Sequence, residues 1–250
     1  MKKITIVCIG SSHHNLMKFS LDNTIKNIPE KYCEEVLVFS DKQIENYSYI
    51  PVKSFDVDDY SFFIIKNLWA FIKTEFVLIT QYDGMATNKS KWTDEYFNYD
   101  YIGAPWPNRF SWINEEERVG NGGFSLRSAK LLEATKDSHI IFNNNLRYKN
   151  EDALVCQGHS SFLKETYNIK YAPYSLANTF STEWCNPTGQ TFGFHGVWNF
   201  PLFFEESVII NHLLDIPKEH WYNDKRDMFK QICMKKKYLD LFKKVSEKWD

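Results

Sequence analysis

The sequence predicts an α/β fold: one domain on a mostly parallel central sheet flanked by helices, followed by a helical C-terminal tail. Three observations carry this. The chain opens strand–helix–strand, with Ile4–Ile9, His14–Asn27 and residues 35–40 (Glu-Val-Leu-Val-Phe-Ser). A continuous apolar run, Phe76–Thr80, is closed by the turn Gln81-Tyr82-Asp83-Gly84, which suits a strand buried on both faces of a parallel sheet. Between 224 and 249, Met228, Ile232, Leu239, Phe242, Val245 and Trp249 recur with a helical period and predict one long helix. The limits read from this pattern are a domain over 1–215 and a tail over 216–250.

Each element has a local reason. Ile4–Ile9 ends at the small-residue turn Gly10-Ser11-Ser12, and Pro29 stops the helix that follows. Asp56 and Asp58 are candidate caps for a helix running to Phe71. Residues 92–97 form a short amphipathic helix, and Tyr99 to Gly103 a strand closed by Ala104-Pro105-Trp106-Pro107. Residues 108–117 are polar and read as a mobile loop. Phe124 to Leu126 is the next strand, with Ser128 capping a helix over 129–135. Asn150 caps a helix from Glu151 to about Thr166, and residues 169–172 form a last short strand before Pro173. No internal repeat or low-complexity tract interrupts this order.

Composition excludes several classes. A chain of 250 residues buries a sizeable core, and its formal net charge of -2 gives no bulk attraction for nucleic acid. Five cysteines, an odd number with no C-x-x-C pair, point away from a disulfide framework or zinc site and towards a reducing compartment. Met1-Lys2-Lys3 and the apolar run after it lack a cleavage site, so that run is the first core strand rather than a signal peptide. No stretch approaches the ~18 apolar residues that span a bilayer. The expectation is a cytoplasmic protein, at most peripheral to the inner face of the membrane through the basic C-terminal helix (Lys235-Lys236-Lys237, Lys243-Lys244). The aromatic content of 17% is mostly core, although sugar-binding surfaces also use aromatic faces.

In open α/β sheets ligands sit beyond the carboxyl ends of the strands, which makes Asp83 the first candidate ligand-binding carboxylate. No G-x-G-x-x-G or G-x-x-x-x-G-K-S/T follows the first strand, so dinucleotide oxidoreductases and P-loop enzymes are disfavoured. The cluster Gly120-Asn121-Gly122-Gly123 lets backbone pass close to a ligand or adopt positive φ. A structural bulge explains it equally well. Glu151 and Asp152 stand at a helix start, where acids are favoured by capping and the dipole alone. That setting would lower their pKa. Trp106 reads as packing and Arg127 as half of a structural salt bridge. His13 and His14 read as surface residues.

Gln81-x-Asp83-Gly84, Tyr99-Asp100-Tyr101-Ile102-Gly103-Ala104-Pro105-Trp106, Gly120 to Ser128, Glu151-Asp152 and Phe192-Gly193-Phe194-His195-Gly196 form a distinctive series. The series resembles a family of uncharacterised domains described as glycosyltransferase-like, over roughly 76–198. The resemblance implies a GT-A-type, Rossmann-like fold that binds a UDP- or GDP-sugar. It places Gly10, Ser11, Ser40, Gln81, Tyr82, Asp83, Asn121, Gly122 and Gly123 at the donor. Enzymes of that fold usually carry D-x-D after a central strand. Here glutamine replaces the first acid, so Asp83 is the one direct acidic ligand for Mn²⁺ or Mg²⁺, and His195 matches the histidine that completes such a site. Asp152, and after it Glu151, match the catalytic base of an inverting transfer to a glycan or glycolipid hydroxyl, as in surface polysaccharide or glycolipid synthesis. The rival readings are a non-catalytic nucleotide- or carbohydrate-binding domain that lost the full metal site and a nucleotidyltransferase. The latter lacks a glycine-rich basic signature after strand one.

Overall fold

Alternation explains the central strands. In β1 (Ile4–Ile9), Ile4, Ile6 and Cys8 face one apolar cluster, while Val7 and Ile9 face another across the sheet. With both faces covered, every position must be apolar or, like Thr5, bonded internally, here to Thr74. β2 (Cys33–Ser40) and the two-residue β3 (Ile50–Pro51) extend the sheet on one side. β4 (Phe76–Thr80) repeats the alternation, Phe76 and Leu78 against Val77 and Ile79. The computed structural model describes residues 2–113, 118–142 and 148–249.

After β4 the chain turns into β5 (Gly84–Ala86), β6 (Tyr101–Ile102), β7 (Phe124–Ser128), β8 (Ser181–Thr182) and β9 (Gly193–His195). Six strands form the main sheet in the order β3-β2-β1-β4-β7-β6. The first four are parallel, with Ile6 beside Val36 and Leu78, and β7 and β6 close the edge antiparallel. β5, β9 and β8 form a second, three-stranded sheet.

Helices cover both faces. α1 (His14–Asn27) buries Met17 and Leu21 on the first. The second carries α2 (Val57–Phe62), which widens into a π turn and then tightens into a 3₁₀ turn through Phe71, and α3 (Ala129–Ala134). Asp56 caps α2 by accepting from Asp59 N–H, and Ser128 caps α3 by accepting from Leu131 N–H, both as expected.

Several expected elements differ. Residues 92–97 are 3₁₀ rather than α, with the turn over Asp94–Asn98. The strand over 169–172 is a single bridge, Tyr171 to Tyr101. Residues 107–113 form turns, and 114–117 of the polar loop lie outside the described residues. The helix after Asn150 breaks into α4 (Glu151–Ala153), a π turn and α5 (Ser160–Tyr167), and Asn150 caps it without a side-chain bond.

Beyond α6 (Tyr174–Phe180) and the second sheet come α7 (Phe200–Phe203) and α8 (Glu206–Leu214). The expected single C-terminal helix is two, α9 (Asn223–Lys236) and α10 (Leu239–Ser246). Lys237 turns left-handed at φ 63°, and Tyr238 N–H bonds back to Cys233 O at 2.9 Å, a cap that ends one helix and folds the next onto it. The reversal is driven by burial: Phe229, Cys233, Leu241 and Val245 join Phe194, Trp198 and Phe200 in one core. The C-terminal helices therefore stand directly behind β9.

Candidate active site

The end of β4 is pinned before it delivers anything. Gly84 N–H bonds Gln81 O at 3.1 Å, and the Thr80 and Ser20 hydroxyls both donate to Gly84 O. β5 then pairs antiparallel with β9, Gly84 opposite His195, and Gly196 N–H bonds Asp83 O at 2.8 Å. Strand register thus brings the two residues together across the sequence.

Three acceptors surround the His195 ring. Nε2 lies 3.2 Å from Gln81 Oε1 and 3.4 Å from Asp83 Oδ1, and Nδ1 lies 3.2 Å from Glu183 Oε1. Burial alone would lower the His195 pKa, but Asp83 and Glu183 outweigh it and raise it to about 10. Burial of Asp83 would raise its pKa, yet the His195 charge, with Lys225 and His220 behind it, holds it below the usual carboxylate range. Burial raises Glu183, partly offset by His195.

The glycine turn is shaped by crowding. Positive φ falls on Asn121, at 53°, not on the glycines after it. A Cβ on Gly122 would stand 1.6 Å from Glu151 Oε1, and one on Gly123 2.2 Å from His195 Nε2. Both positions serve close approach.

The two adjacent acids of α4 have separated fates. Glu151 is fully buried against Arg127, whose guanidinium reaches its oxygens at 2.9 and 2.8 Å. Burial pushes Glu151 up to about 7 against the pull of Arg127, which reverses the lowering expected from the helix terminus. Asp152 is half-buried at the cleft, its Oδ2 accepting from Gly122 N–H at 2.9 Å and its Oδ1 from Ala153 N–H at 2.7 Å.

These groups line one cleft of about 960 Å³ that also contains Gly10, Ser11 and Tyr82. Among the expected site residues, Ser40 alone does not line it. Fully buried at the end of β2, Ser40 spends its hydroxyl accepting from Lys42 N–H. Arg127 forms the expected salt bridge, and Trp106 is buried as expected. The histidines after β1 are half-buried: the His13 ring packs 4.6 Å from that of Tyr82, and His14 Nε2 meets Asp41 Oδ1 at 2.7 Å.

Sequence reasoning missed four groups. Glu183 follows β8 as Asp83 follows the β4 turn, but a two-residue strand leaves no apolar run to announce it. His220, Tyr222 and Lys225 reach the cleft from the C-terminal segment. His220 Nδ1 bonds Tyr82 Oη at 2.9 Å, and Lys225 Nζ sits over the Tyr222 and Trp198 rings at 4.1 and 4.8 Å. Phe110, Trp112 and Trp184 add a partly exposed aromatic wall, Trp112 stacked on Phe110 and Trp184 edge-on to it. No described helix is long and apolar enough to cross a membrane.

A parallel sheet with an antiparallel edge, a second small sheet beside it and a cleft at the strand ends define the GT-A fold. A solved structure shares it, and others are similar over much of the chain. A glycosyltransferase involved in glycosylating the major capsid of PBCV-1 aligns over 93% of this chain and 99% of its own, at TM-score 0.51 and 12% identity. A mannosyltransferase from Pyrobaculum calidifontis, solved with GDP-Man and Mn²⁺, aligns over 98% and 73%, at 0.46 and 12%. The galactosyltransferase LgtC, solved with donor and acceptor sugar analogues, aligns over 76% and 86%, at 0.42 and 11%. At such identities the likeness is one of fold. No curated protein sequence matches the chain. Residues 46–195 match the family described as "Protein of unknown function (DUF5672)", and the chain belongs to that family.

Proposed function

We propose that this protein is a glycosyltransferase that moves a sugar from a UDP- or GDP-sugar to a hydroxyl of a glycan or glycolipid acceptor, with inversion. The observation that carries the reading is convergence. Gln81, Asp83, the turn over 121–123, Asp152 and His195 come from separate parts of the chain to one cleft at the strand ends. The capsid glycosyltransferase, aligned over almost its whole length, supports the same class.

The donor set bears on the cation. Adjacent corners of an octahedron with ~2.1 Å bonds lie about 3 Å apart. Gln81 Oε1, His195 Nε2 and Asp83 Oδ1 are spaced at 3.2 and 3.4 Å. Among the described residues, no group of three or more His, Cys, Asp or Glu is arranged to hold a metal. One carboxylate, one imidazole and one amide oxygen would suit a divalent cation that takes its other ligands from phosphate and water, the imidazole favouring Mn²⁺ slightly over Mg²⁺. Such a cation, Mn²⁺ or Mg²⁺, supplies charge neutralisation of the leaving diphosphate. Asp83 and His195 would hold it, with Gln81 beside them, and Lys225 adds positive charge on the same side.

The acceptor is deprotonated by Asp152. Its two backbone hydrogen bonds fix the carboxylate plane, and each oxygen keeps a second lone pair for a hydroxyl proton. The acceptor oxygen bonds the anomeric carbon as the carbon–phosphate-oxygen bond breaks. The proton goes to Asp152 and the diphosphate leaves with the electron pair. Glu151, locked to Arg127, braces the turn. The wall of Phe110, Trp112 and Trp184 offers faces for the apolar side of a sugar ring.

The test is a thermal-shift screen of nucleotide-sugars with and without Mn²⁺, followed by a donor-hydrolysis assay. One UDP- or GDP-sugar should stabilise the protein in a metal-dependent way and be slowly hydrolysed. Stabilisation by none would overturn the proposal, and binding without turnover would favour a non-catalytic binding domain.

A further inference from the structure

We infer that Glu183 is a positioning residue that orients His195 so that its Nε2 faces the cation held with Asp83. The inference rests on the cation-dependent reading of the cleft and adds a residue that the D-x-D pattern does not contain.

Strand register places Glu183. β8 and β9 run parallel, with Ser181 beside Gly193 and Thr182 beside Phe194. One step further along both strands sets Glu183 abreast of His195. The fully buried Asn199 ties the two ends together, its Nδ2 donating to Glu183 O at 2.9 Å and to His195 O at 2.8 Å. Backbone as well as side chain thus holds the pair.

An imidazole ligates a metal through the nitrogen that carries no proton, and the partner of the other nitrogen decides which one that is. At Nδ1 that partner is the Glu183 carboxylate, 3.2 Å away, its side chain only 7% exposed. With Nδ1–H held there, Nε2, which faces Gln81 Oε1 and Asp83 Oδ1, is the nitrogen whose proton a cation would replace. Asn121 is the other neighbour of Nδ1, with its amide nitrogen at 3.0 Å and its Oδ1 buried without a partner. A half-turn of that amide gives Nδ1–H a second acceptor and satisfies Oδ1 at no cost in shape. Glu183 Oε2 is buried with no hydrogen-bond partner among the described residues. A carboxylate kept in so unsaturated a setting is better explained by what it does for His195 than by what it adds to folding.

The test is Mn²⁺ binding to the full chain, followed by electron paramagnetic resonance with UDP present and, separately, with GDP. Glu183→Gln and Glu183→Ala should each weaken Mn²⁺ binding on the order of 10- to 100-fold, the alanine more. Affinity for the nucleotide measured without metal should stay unchanged. A loss under about tenfold in Glu183→Gln overturns the inference, and that variant alone decides if the alanine does not fold. Wild type that binds nucleotide but no Mn²⁺ also overturns it, while leaving a metal-free glycosyltransferase standing. Wild type that binds neither nucleotide removes the functional reading itself.

Discussion

The ends of β4 and β8 meet His195 from its two nitrogens, and each brings one carboxylate. They are built very differently. β4 has five buried residues between two hydrogen-bonded neighbours, and its turn is stapled by Ser20 and Thr80 before Asp83 emerges. β8 has two residues at the edge of a three-stranded sheet, and Glu183 owes its place to register with β9 and to Asn199. A carboxylate can be delivered by a long strand that is rigid by itself or by a short one held by its neighbours. The first should carry the chemistry at the donor, the second the orientation of its ligand.

Removing Asp83 is the hardest blow to that division. Asp83→Ala takes away the only acidic arm of the Gln81-Tyr82-Asp83 turn, and turnover should fall on the order of 10²–10³-fold, as when other preorganised charge-stabilising groups are lost. Steady-state kinetics with the donor identified in the screen would measure it. Turnover within tenfold of wild type would mean that the end of β4 is not the catalytic centre.

A second contrast lies within α4, between neighbours one residue apart. Asp152→Asn should lower transfer about 10²–10⁴-fold while leaving nucleotide binding intact, as expected for loss of a general base. Glu151→Ala should act on stability instead. It strands the buried Arg127 without its partner, a change that costs about 3–5 kcal/mol, readable by denaturant unfolding. If the two outcomes were exchanged, the base and the brace would be exchanged with them.

Much of this was legible in the sequence, for physical reasons that also mark the limit. Phe76–Thr80 announces itself because a strand covered on both faces must be apolar throughout, and Asp83 follows from its position at that strand's end. The glycines at 122 and 123 were visible as a cluster, but only the structure shows that His195 and Glu151 fill the space a Cβ would need. Ser40 stood at the right kind of place, at a strand end, yet its hydroxyl is turned inward to Lys42 N–H. Glu183 and Lys225 were invisible, since pairing of β8 with β9 and the folding-back of α10 are tertiary events. The break at Lys237 illustrates the second. A lysine there carries no helix-stopping signal, and the left-handed turn is imposed by burial of Leu241 and Val245.

The smallest effect comes from outside both strand ends. Lys225 belongs to α9, is half-exposed, and stands over the Tyr222 and Trp198 rings while its charge helps hold the Asp83 carboxyl low. A partly exposed cation is worth roughly 1 kcal/mol or less, and its reach is cut by salt, with a Debye length of about 10 Å at 0.1 M. Lys225→Met should therefore weaken UDP or GDP binding up to about fivefold at low ionic strength, and the deficit should shrink as salt is added. Calorimetric titrations at two salt concentrations would read it. A deficit that is absent at low salt would place Lys225 away from the diphosphate. One that persists at high salt would make it a buried, direct phosphate contact, and the C-terminal helices would then share the donor site with β4.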